Sequence, residues 1–533
     1  MVRRWFFAVL IVLVVIEAVL AIIWPPGLWS LVVLGPLALL GLHDVLQTKR
    51  TILRNFPLIG HFRYLFEDIR PEIQQYFIES NIDAHPIERE MRSIVYQRAK
   101  GELETKPFGT ERDVYRPGYE WAGHALQGTD EVDRDVRVRV GSDKCEKPYD
   151  ASPLNISAMS FGALSSAAVR ALNIGAREGR FAHNTGEGGL SQHHLEPGAD
   201  IIWQIGTGYF GCRTLDGAFD PGRFRDNARI EQVRMIEVKL SQGAKPGHGG
   251  VLPACKVTPE IAKYRGVPKG KTVISPPRHT AFESPVEMLE FLAQLRELSG
   301  GKPVGFKICI GERVEFLALC KAMRETGLTP DFITVDGGEG GTGAAPLEFS
   351  NSMGMPARES WSFVHNALVG SMLRTNIRVF ASGKIFTGFH MVRAMALGAD
   401  ACYSARGFML ALGCIQALRC NTDACPTGVA TQNPALVKGL VVADKSERVR
   451  RFHEGTITSF VELLGAMGID SLDGITPDRI HRRADDGRVR TLAELSDSLE
   501  PGALVDGSAP DDWQRAWNRA QASSFAPAYA SHS

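Results

Sequence analysis

The sequence predicts an α/β protein: a (β/α)8 TIM barrel with an N-terminal transmembrane helical hairpin and extra helical segments. Short β-prone runs alternate with helical stretches from Leu154 onward, a pattern typical of a parallel α/β architecture. The last of these runs lead into glycine-rich loops, and a long apolar run opens the chain. At 533 residues, the chain is long enough for one large barrel domain with additions.

Residues 1–50 predict a membrane anchor of two transmembrane helices. The run from Trp5 to Trp24 contains a single charge, Glu17, and matches the ~20 residues that a helix needs to cross a bilayer. A second apolar run, Leu28 to Leu42, follows a Pro-Pro-Gly turn. The first run is too long for the usual core of a signal peptide, and no A-x-A cleavage pattern precedes the second. A single span with an interfacial second segment is the alternative.

Basic residues flank the predicted hairpin on one side. Arg3 and Arg4 lie at the start of the first span, and Lys49 and Arg50 follow the second. Because positive charges favour the cytoplasmic side, we expect an inner (cytoplasmic) membrane location with the catalytic domain facing the cytoplasm. Over the whole chain, 60 basic and 60 acidic residues cancel, so the charge gives no indication of a nucleic-acid partner.

The remaining chain is predicted to contain an N-terminal extension (51–150), a barrel (151–440) and a C-terminal helical region with a polar tail (441–533). Eight β-prone runs predict the barrel strands. The chemistry of such barrels lies at the C-terminal ends of the strands. The predicted strands are Leu154–Ala158, Phe181–Asn184, Met235–Leu240, Thr272–Ser275, Val304–Ile308, Phe332–Val335, Ile377–Ala381 and Ala401–Ser404.

Glycine-rich loops follow the last three predicted strands. In barrel enzymes the loops after strands seven and eight commonly bind a phosphate, because glycine lets backbone N–H groups approach the oxygens. Tight corners alone would also explain any one of these loops. Their coincidence favours a phosphorylated cofactor, whereas no dinucleotide-binding G-x-G-x-x-G unit is visible. The candidate residues are Gly337, Gly338, Gly341, Thr342, Gly343, Ser382, Gly383, Lys384, Arg406 and Gly407.

Polar side chains also gather at the ends of the earlier strands. At such positions a side chain faces the barrel mouth, whereas on a helix the same residue would by default belong to a solvated face. Cations and an acid beside a phosphorylated cofactor suit an anionic substrate. The residues are Ser160, Asn184, Glu187, Gln242, Lys245, Arg265 and Lys307.

Three closely spaced cysteines, Cys414, Cys420 and Cys425, occur in GCIQALRCNTDACPTG. A cysteine-proline ending recurs in runs that bind iron–sulfur clusters. One alternative is three buried thiols without a metal. Another is a zinc site, but no histidine lies near the triplet to complete it. A disulfide framework is not expected in so long and cysteine-poor a chain. The spacing therefore favours an iron–sulfur cluster.

Several ordered motifs resemble the FMN-binding synthase domain of the glutamate synthase family. The resemblance covers roughly residues 100–470. It implies a (β/α)8 barrel with FMN and a 3Fe–4S cluster, the latter held by the three cysteines, whose C-x5-C-x4-C spacing matches the family. The motifs, in chain order, are SAMSFGALS, NTGEGG, QGAKPG, Val273-Ile274-Ser275-Pro276-Pro277, GGTGAAP and CPTGVATQNP.

The resemblance also implies roles for individual residues. Gln242, Lys245 and Arg265 would face 2-oxoglutarate, and Glu187 and Lys245 would be catalytic. Lys307 would lie beside the flavin pyrimidine, where a cation stabilises the anionic reduced ring. Met159, Ser160 and Asn184 would join the glycine-loop residues in binding the cofactor.

The implied reaction is reductive amination of 2-oxoglutarate to glutamate, with electrons delivered through the cluster to FMN. Ferredoxin or a pyridine-nucleotide reductase would supply the electrons. The family's amidotransferase nucleophile has no counterpart, since no cysteine precedes Cys145, so free ammonia or a glutaminase subunit would supply nitrogen. The sequence leaves the oligomeric state open.

Two departures from the family pattern motivate other readings. His248 stands where the family has a carboxylate, and Val251 where it has an amide that helps to bind the oxo-acid. A related flavoenzyme acting on a different oxo-acid or amine is therefore an alternative. A membrane-docked electron-transfer module is a second.

Overall fold

A computed structural model describes residues 2–102 and 105–528. The chain forms two compact units, Met1–Arg89 and Glu90–Ser533. Residues 51–89 thus group with the predicted hairpin, and the C-terminal region beyond residue 440 groups with the barrel.

The first unit begins with the two predicted apolar helices. Helix α1 (Val2–Ile23) and helix α2 (Leu31–Leu46) are joined by a 3-10 turn, Pro25–Ser30. Both segments are long and apolar enough to cross a membrane. Ser30 Oγ donates a 2.5 Å hydrogen bond to Glu17 Oε1, which gives the one charge of the first span a partner.

Two further helices follow in this unit. Helix α3 (Thr51–Asn55) leads into helix α4 (Gly60–Ile73), which continues as a π-helical turn, Gln74–Ile78. The buried carboxylate of Asp44 in α2 accepts hydrogen bonds from the Leu58 amide at 3.0 Å and from His61 Nε2 at 2.9 Å. These bonds hold the start of α4 against the end of α2.

The second unit contains a closed barrel of eight parallel strands, which confirms the predicted fold. Its strands are almost continuously buried, as expected where helices cover a parallel sheet. In chain order they are β1 (Leu154–Ile156), β2 (His183–Asn184), β3 (Ile201–Ile205), β4 (Val233–Lys239), β5 (Val304–Ile308), β6 (Phe332–Asp336), β7 (Arg378–Ser382) and β8 (Ala401–Ser404).

One predicted barrel strand is wrong. Within Thr272–Ser275, the strand Val273–Ile274 pairs antiparallel with Val251–Leu252, outside the barrel. The missing barrel strand is Ile201–Ile205, which pairs with β2 and β4. Its sequence IIWQI is short and contains a glutamine, and a short apolar run cannot be assigned from periodicity alone. Only the fold shows that Gln204 points into the barrel interior, where it finds a partner.

A β-hairpin closes one end of the barrel. Strands Val138–Val140 and Tyr149–Ala151 pair antiparallel, and their apolar side chains join a core cluster with residues of the barrel strands. Tyr149 donates a 3.1 Å hydrogen bond to Asp200, which precedes β3. Barrel residues in this cluster include Ala182, Ile202, Met235, Phe332, Phe380, Ala401 and Tyr403.

Helices surround the barrel. The long C-terminal helix Val442–Ala466 packs on the helix that follows β1, where Gly175 approaches Val449 closely. A three-stranded antiparallel sheet lies outside the barrel, with strands Glu120–Ala122, Ile480–Arg483 and Val489–Thr491. The main helices of the barrel unit are Ser166–Gly179, Pro221–Ala228, Pro259–Arg265, Pro285–Leu298, Arg313–Thr326, Ala357–Gly370, Gly388–Ala396, Arg406–Ala411, Val442–Ala466 and Asp511–Arg519.

A substitution at Gly305 in β5 would test how tightly the barrel wall is packed. A Cβ at this position would lie 2.2 Å from the Phe332 carbonyl oxygen. We expect Gly305→Ala to destabilise the unit by about 3 kcal/mol, since buried overpacking forces the backbone to move, and to lower the apparent melting temperature in detergent by about 5 °C. Gly311→Ala is the control, because no atom of the described residues, apart from its two chain neighbours, lies within 4 Å of its added Cβ. Equal melting temperatures for the two variants would contradict the barrel register described above.

Candidate functional site

A buried carboxylate, Glu237 of β4, organises the barrel interior. It accepts hydrogen bonds from Asn184 Nδ2 at 2.8 Å, Gln204 Nε2 at 2.6 Å and Thr334 Oγ1 at 2.5 Å. These donors belong to β2, β3 and β6. Asn184, a predicted cofactor residue, uses its side-chain oxygen to accept the Gly186 amide at 3.0 Å. Its side chain therefore links the interior network to the loop after β2.

Lys239 lies two residues further along β4 and reaches the barrel mouth. Its ammonium is 2.7 Å from Glu187 Oε2 and donates a 3.1 Å hydrogen bond to Gln242 Oε1. Burial by itself would raise the pKa of Glu187, but the Lys239 ammonium, with Lys245 and Arg265 nearby, holds that pKa below its usual range. Glu187 is therefore a carboxylate at neutral pH.

Two further cations share this site. Lys245 is 3% exposed and Arg265 5% exposed. Burial lowers the pKa of Lys245 to about 8 and that of Arg265 to about 10, although Glu187 opposes both shifts. Lys245 Nζ donates a 3.1 Å hydrogen bond to the Ala344 carbonyl. Three cations thus surround the single carboxylate of Glu187.

Arg265 retains unused hydrogen-bonding capacity. Its guanidinium lies 5.1 Å from the centre of the Phe210 ring and donates one long bond, 3.4 Å, to the Phe161 carbonyl. Its Nε is buried and has no hydrogen-bond partner among the described residues. A buried donor without a partner is unfavourable, so the site suits an anionic ligand.

A histidine and a tyrosine hold the backbone at Lys239. His279 Nε2 lies 2.9 Å from the Lys239 carbonyl, and His279 Nδ1 lies 3.0 Å from the Tyr209 hydroxyl. A carbonyl can only accept, so Nε2 carries the proton and Nδ1 accepts from the hydroxyl. Burial lowers the pKa of His279 to about 4, consistent with this neutral form. Tyr209 also accepts the amides of Thr280 at 3.2 Å and Ala281 at 3.1 Å.

Glycines make room for the Glu187 carboxylate. A Cβ at Gly206 would lie 2.5 Å from Glu187 Oε2, and a Cβ at Gly250 would lie 2.3 Å from Oε1. Both are shorter than any normal contact of a Cβ atom. The loops after β3 and β4 therefore need glycine where they pass the acid.

Lys307, the predicted partner of the flavin, lies at the end of β5 beside Lys239. The two lysines are register neighbours on adjacent strands. Lys307 Nζ is 3.2 Å from Asp336 Oδ2, and the same oxygen accepts the Gly243 amide at 2.9 Å. Each lysine therefore has its own carboxylate, which offsets their mutual repulsion.

The glycine loop after β6 divides into two parts. The amides of Gly337 and Gly338 donate to the carbonyls of Ser382 at 3.0 Å and Met355 at 2.8 Å, so they shape the loop. In the part of the chain that the structure describes, the amides of Gly341, Thr342 and Gly343 donate no hydrogen bond to the protein, and these three residues are exposed. Their N–H groups are free to bind phosphate oxygens.

The predicted residues after β7 and β8 lie next to this loop. Arg406 Nη2 donates a 2.8 Å bond to the Glu339 carbonyl, and a Cβ at Gly341 would lie 3.0 Å from the Arg406 side chain. Gly383 and Lys384 have positive φ values of 149° and 52°, which makes a sharp turn at the end of β7. Gly407 packs against Ser404, whose hydroxyl donates to the Ile385 carbonyl at 2.6 Å.

Met159 and Ser160 follow β1 and contact the Glu187 loop. The Met159 amide donates to the Asn184 carbonyl at 3.2 Å. A Cβ at Gly186 would lie 2.9 Å from the Ser160 amide nitrogen. The first two strands thus present their loops side by side, as predicted for one mouth.

The three cysteines share one neighbourhood but do not form a closed metal site. No group of three or more His, Cys, Asp or Glu residues in a metal-binding arrangement occurs among the described residues. Burial raises the pKa of Cys414 to about 11, and the other two thiolates add to this rise. Burial also acts on Cys425, but the Thr427 hydroxyl and the amides of residues 427, 429 and 430 lower its pKa overall. These donors therefore favour the thiolate form of Cys425.

The cysteine loop, which carries Cys414, Cys420 and Cys425, contains non-glycine residues in the left-handed backbone conformation. Gln416, Leu418 and Asp423 have φ values of 56°, 54° and 61°, a conformation that costs a non-glycine residue roughly 1–2 kcal/mol. The loop is fixed to the segment after β1, since Ser165 Oγ donates to the Gly428 carbonyl at 2.7 Å. The hydrogen-bond donors toward Cys425 favour its thiolate, and the Ser165 bond holds a loop whose backbone is strained. Both features fit a cluster bound by the three thiolates.

The two departures from the family pattern flank Gly250, where an added Cβ would lie 2.3 Å from Glu187 Oε1. His248 Nδ1 is 2.8 Å from the Gly249 carbonyl and therefore carries a proton, and the ring packs edge-on against Phe349. Val251 pairs with Ile274 in the small antiparallel sheet. His248 therefore adds a hydrogen-bonded ring where the family has a carboxylate.

Sequence reasoning did not identify Lys239, His279 or Tyr209. Lys239 carried a local signal, because a lysine ends the strand VRMIEVK at the functional end of a barrel. His279 and Tyr209 carried none, since their contacts join segments about 70 residues apart.

Substitution of Tyr209 would test whether its hydroxyl, through His279, supports the backbone at Lys239. Tyr209→Phe removes the hydroxyl that joins His279, Thr280 and Ala281. We expect a loss of about 2 kcal/mol in stability, because buried donors and acceptors lose their partner, visible as a lower apparent melting temperature. Tyr115→Phe is the matched control, since Tyr115 is 77% exposed. Equal effects of the two substitutions would show that the hydroxyl does not support Lys239.

Comparisons with known proteins bear on the family to which the chain belongs. A family model for a conserved region in glutamate synthase matches residues 120–470. A glutamate synthase large subunit-like protein, YerD, of Bacillus subtilis is 37% identical over 494 residues, which cover 85% of this chain and 94% of the relative. An archaeal glutamate synthase [NADPH] of Methanocaldococcus jannaschii is 36% identical over 62% of this chain, and the match covers 61% of its length.

Solved structures give a weaker likeness. A mandelate oxidase is 14% identical, with 75% of this chain and 98% of that chain covered and a TM-score of 0.42. A flavocytochrome b2 variant with pyruvate bound is 11% identical, with 86% and 93% covered and a TM-score of 0.43. Such values say nothing of substrate or reaction. The family match and the YerD relative carry the assignment: the chain belongs to the glutamate synthase family of oxidoreductases.

Proposed function

We propose that this protein uses FMN and a 3Fe–4S cluster to reduce 2-oxoglutarate and ammonia to glutamate. The observation that carries the proposal is the surplus of positive charge around Glu187, in a chain of the glutamate synthase family. Lys239 pairs with Glu187 at 2.7 Å, and within the described part of the chain neither Lys245 nor Arg265 forms an ion pair with a second carboxylate. Two surplus cations match the two carboxylates of 2-oxoglutarate.

The two cations suit different parts of the substrate. The planar guanidinium of Arg265 presents a fork that binds a carboxylate through two parallel bonds. Lys245 acts as a point charge and can bind either the other carboxylate or the keto oxygen. Gln242, held by Lys239 at 3.1 Å, adds an amide that can donate to the substrate. Together these residues would orient the keto carbon.

The barrel mouth fits FMN. The amides of Gly341, Thr342 and Gly343 are available for a phosphate, and Arg406 beside them adds a positive charge. Lys307 lies at the end of the neighbouring strand β5 with Asp336 at 3.2 Å, where it would meet the flavin ring. Bound FMN would supply two electrons and one hydrogen to the substrate carbon.

The reaction balances as 2-oxoglutarate + NH4+ + 2 e− + 2 H+ → glutamate + H2O. Condensation forms the imine C=N bond and releases water, and reduction then converts that bond into the amine. Glu187 is ionised at neutral pH, so it can accept a proton from ammonium and return it to the imine nitrogen. Ferredoxin or a pyridine-nucleotide reductase would supply the electrons, and the [NADPH] in the names of several relatives supports the second.

Membrane attachment is part of the proposal. The two apolar helices α1 and α2 and the flanking pairs Arg3-Arg4 and Lys49-Arg50 support an inner-membrane hairpin with the catalytic domain in the cytoplasm. Free ammonia or a glutaminase subunit would supply the nitrogen there.

The decisive experiment is anaerobic. Detergent-solubilised protein is reduced with stoichiometric dithionite, 2-oxoglutarate and ammonium are added, and flavin absorbance and glutamate are followed together. Reoxidation of the flavin with an equal amount of glutamate supports the proposal. Flavin that stays reduced, despite full FMN and iron content, would refute it.

A different oxo-acid is the second candidate, favoured by His248 and Val251 beside the site. The same experiment with pyruvate, oxaloacetate and 2-oxo acids of longer chain distinguishes it. Faster flavin reoxidation with one of these acids than with 2-oxoglutarate would move the assignment to that substrate.

Lys245 makes substrate binding dependent on pH. The pKa of about 8 means that the free protein carries this charge below pH ~8 and loses it above, so the Kd of 2-oxoglutarate should rise up to tenfold per pH unit from pH ~8. Perturbation of the oxidised flavin spectrum in the absence of ammonia measures this Kd. In Lys245→Arg the charge persists, and the rise should begin at higher pH. A Kd that is constant from pH 7 to 10 in the native protein would contradict this role.

The cysteine triplet predicts the iron content. We expect Cys420→Ser to lose iron and acid-labile sulfide while FMN remains bound, because a cluster held by three thiolates does not survive the loss of one. Cys145→Ser is the control, since its sulfur donates to the Gly301 carbonyl at 3.2 Å and lies far from the triplet in sequence. Metal analysis and electron paramagnetic resonance are the measurements. Iron that persists in Cys420→Ser would exclude this ligand set.

A further inference from the structure

Helix α4 carries an apolar stripe that the structure leaves exposed. At 100° per residue the exposed large apolar side chains of α4 fall within an arc of about 100°. Phe62 and Phe66 are each 59% exposed, and Phe77, in the π-helical turn that follows, is 84% exposed. The apolar stripe consists of Phe62, Leu65, Phe66, Ile69, Ile73, Tyr76 and Phe77.

The opposite face of α4 is charged. Arg63 and Glu67 form an ion pair at 2.9 Å between positions one turn apart. Contiguous exposed apolar surface on a soluble protein marks a contact surface. A helix with one charged face and one aromatic-rich face is typical of a segment that lies in the membrane interface.

The start of α4 is held at the end of the second apolar helix. Asp44 lies in the last turn of α2, is fully buried, and accepts hydrogen bonds from Leu58 at 3.0 Å and from His61 at 2.9 Å. Gly60 packs tightly on Leu53, where an added Cβ would lie 3.0 Å from the leucine side chain. If α2 spans a bilayer, α4 therefore begins within one helical turn of its surface.

We propose that the apolar stripe of α4 inserts into the headgroup region of the membrane that α1 and α2 cross. The inference rests on the proposed membrane location. The occupant is the bilayer because α4 begins at the end of α2 in the same compact unit, and because its stripe is rich in phenylalanine and tyrosine, which favour the interface. The ion-paired face would remain in water.

Site-specific photo-crosslinking tests the proposal on the full chain. Benzoylphenylalanine is placed singly at Phe66 in the stripe, at Glu67 on the charged face, or at Val12 in α1, which is 56% exposed. Each variant is reconstituted into vesicles of phosphatidylethanolamine and phosphatidylglycerol and irradiated, and phospholipid adducts are measured by mass. We expect position 66 to give adducts at a yield near that of position 12 and at least fivefold above position 67.

The other outcomes overturn the proposal in distinguishable ways. Adducts at position 12 with equal, low yields at 66 and 67 would place the stripe outside the bilayer and leave the anchor intact. Crosslinks from position 66 to a second copy or to another protein would assign the stripe to a protein interface. A chain without adducts at position 12 does not cross the bilayer. Glutamate formation on the same samples reports the proposed chemistry separately, since none of the three positions belongs to the catalytic site.

Discussion

The buried carboxylate of Glu237 is the constraint on which the barrel mouth depends. It lies inside the barrel with no solvent and accepts from three side chains on β2, β3 and β6. A buried charge without such donors would be strongly unfavourable, so the four strands must keep one register. Side chains alternate along a strand with period two, and Lys239 therefore faces the same interior as Glu237, one step nearer the mouth. The network that orders the core thus also places the first cation of the site.

The mouth combines burial with unbalanced charge. Lys239 and Lys307 are neighbours on adjacent strands, and each is paired with an acid, Glu187 or Asp336. Lys245 and Arg265 are almost fully buried, and among the described residues each donates to a carbonyl oxygen, that of Ala344 or Phe161. Burial of such cations is unfavourable in the free protein, and an anionic substrate would relieve it. The folded loops therefore favour an anionic ligand at the mouth.

Much of the fold could be predicted from the sequence, and the exceptions have physical causes. Runs such as Phe332–Val335 are largely apolar and lead into a glycine-rich loop, so they were recognised. Ile201–Ile205 was missed because Gln204 interrupts the run, and its amide finds Glu237 only in the closed barrel. Glu187 and Lys245 were recognised through ordered motifs, whereas His279 and Tyr209 act through contacts between distant segments. The hydrophobic periodicity of a segment indicates which of its side chains are buried, but it cannot indicate hydrogen bonds between segments that are distant in sequence.

The segment that carries Lys245 and Arg265, here called the substrate loop, and the loop that carries the three cysteines meet at a buried lysine. Lys256 lies between Lys245 and Arg265 in sequence, is 2% exposed, and donates to the carbonyls of Ala163 at 3.1 Å and Ala430 at 2.7 Å. Burial lowers its pKa, while the nearby acidic groups of the cysteine loop oppose that shift. One ammonium thus ties the segment after β1 and the end of the cysteine loop to the chain that carries the substrate cations. For the proposed route, in which electrons pass from cluster to flavin, this connection matters because electron transfer depends steeply on a fixed, short separation. The lysine that closes the substrate loop would then also fix the path by which electrons reach it.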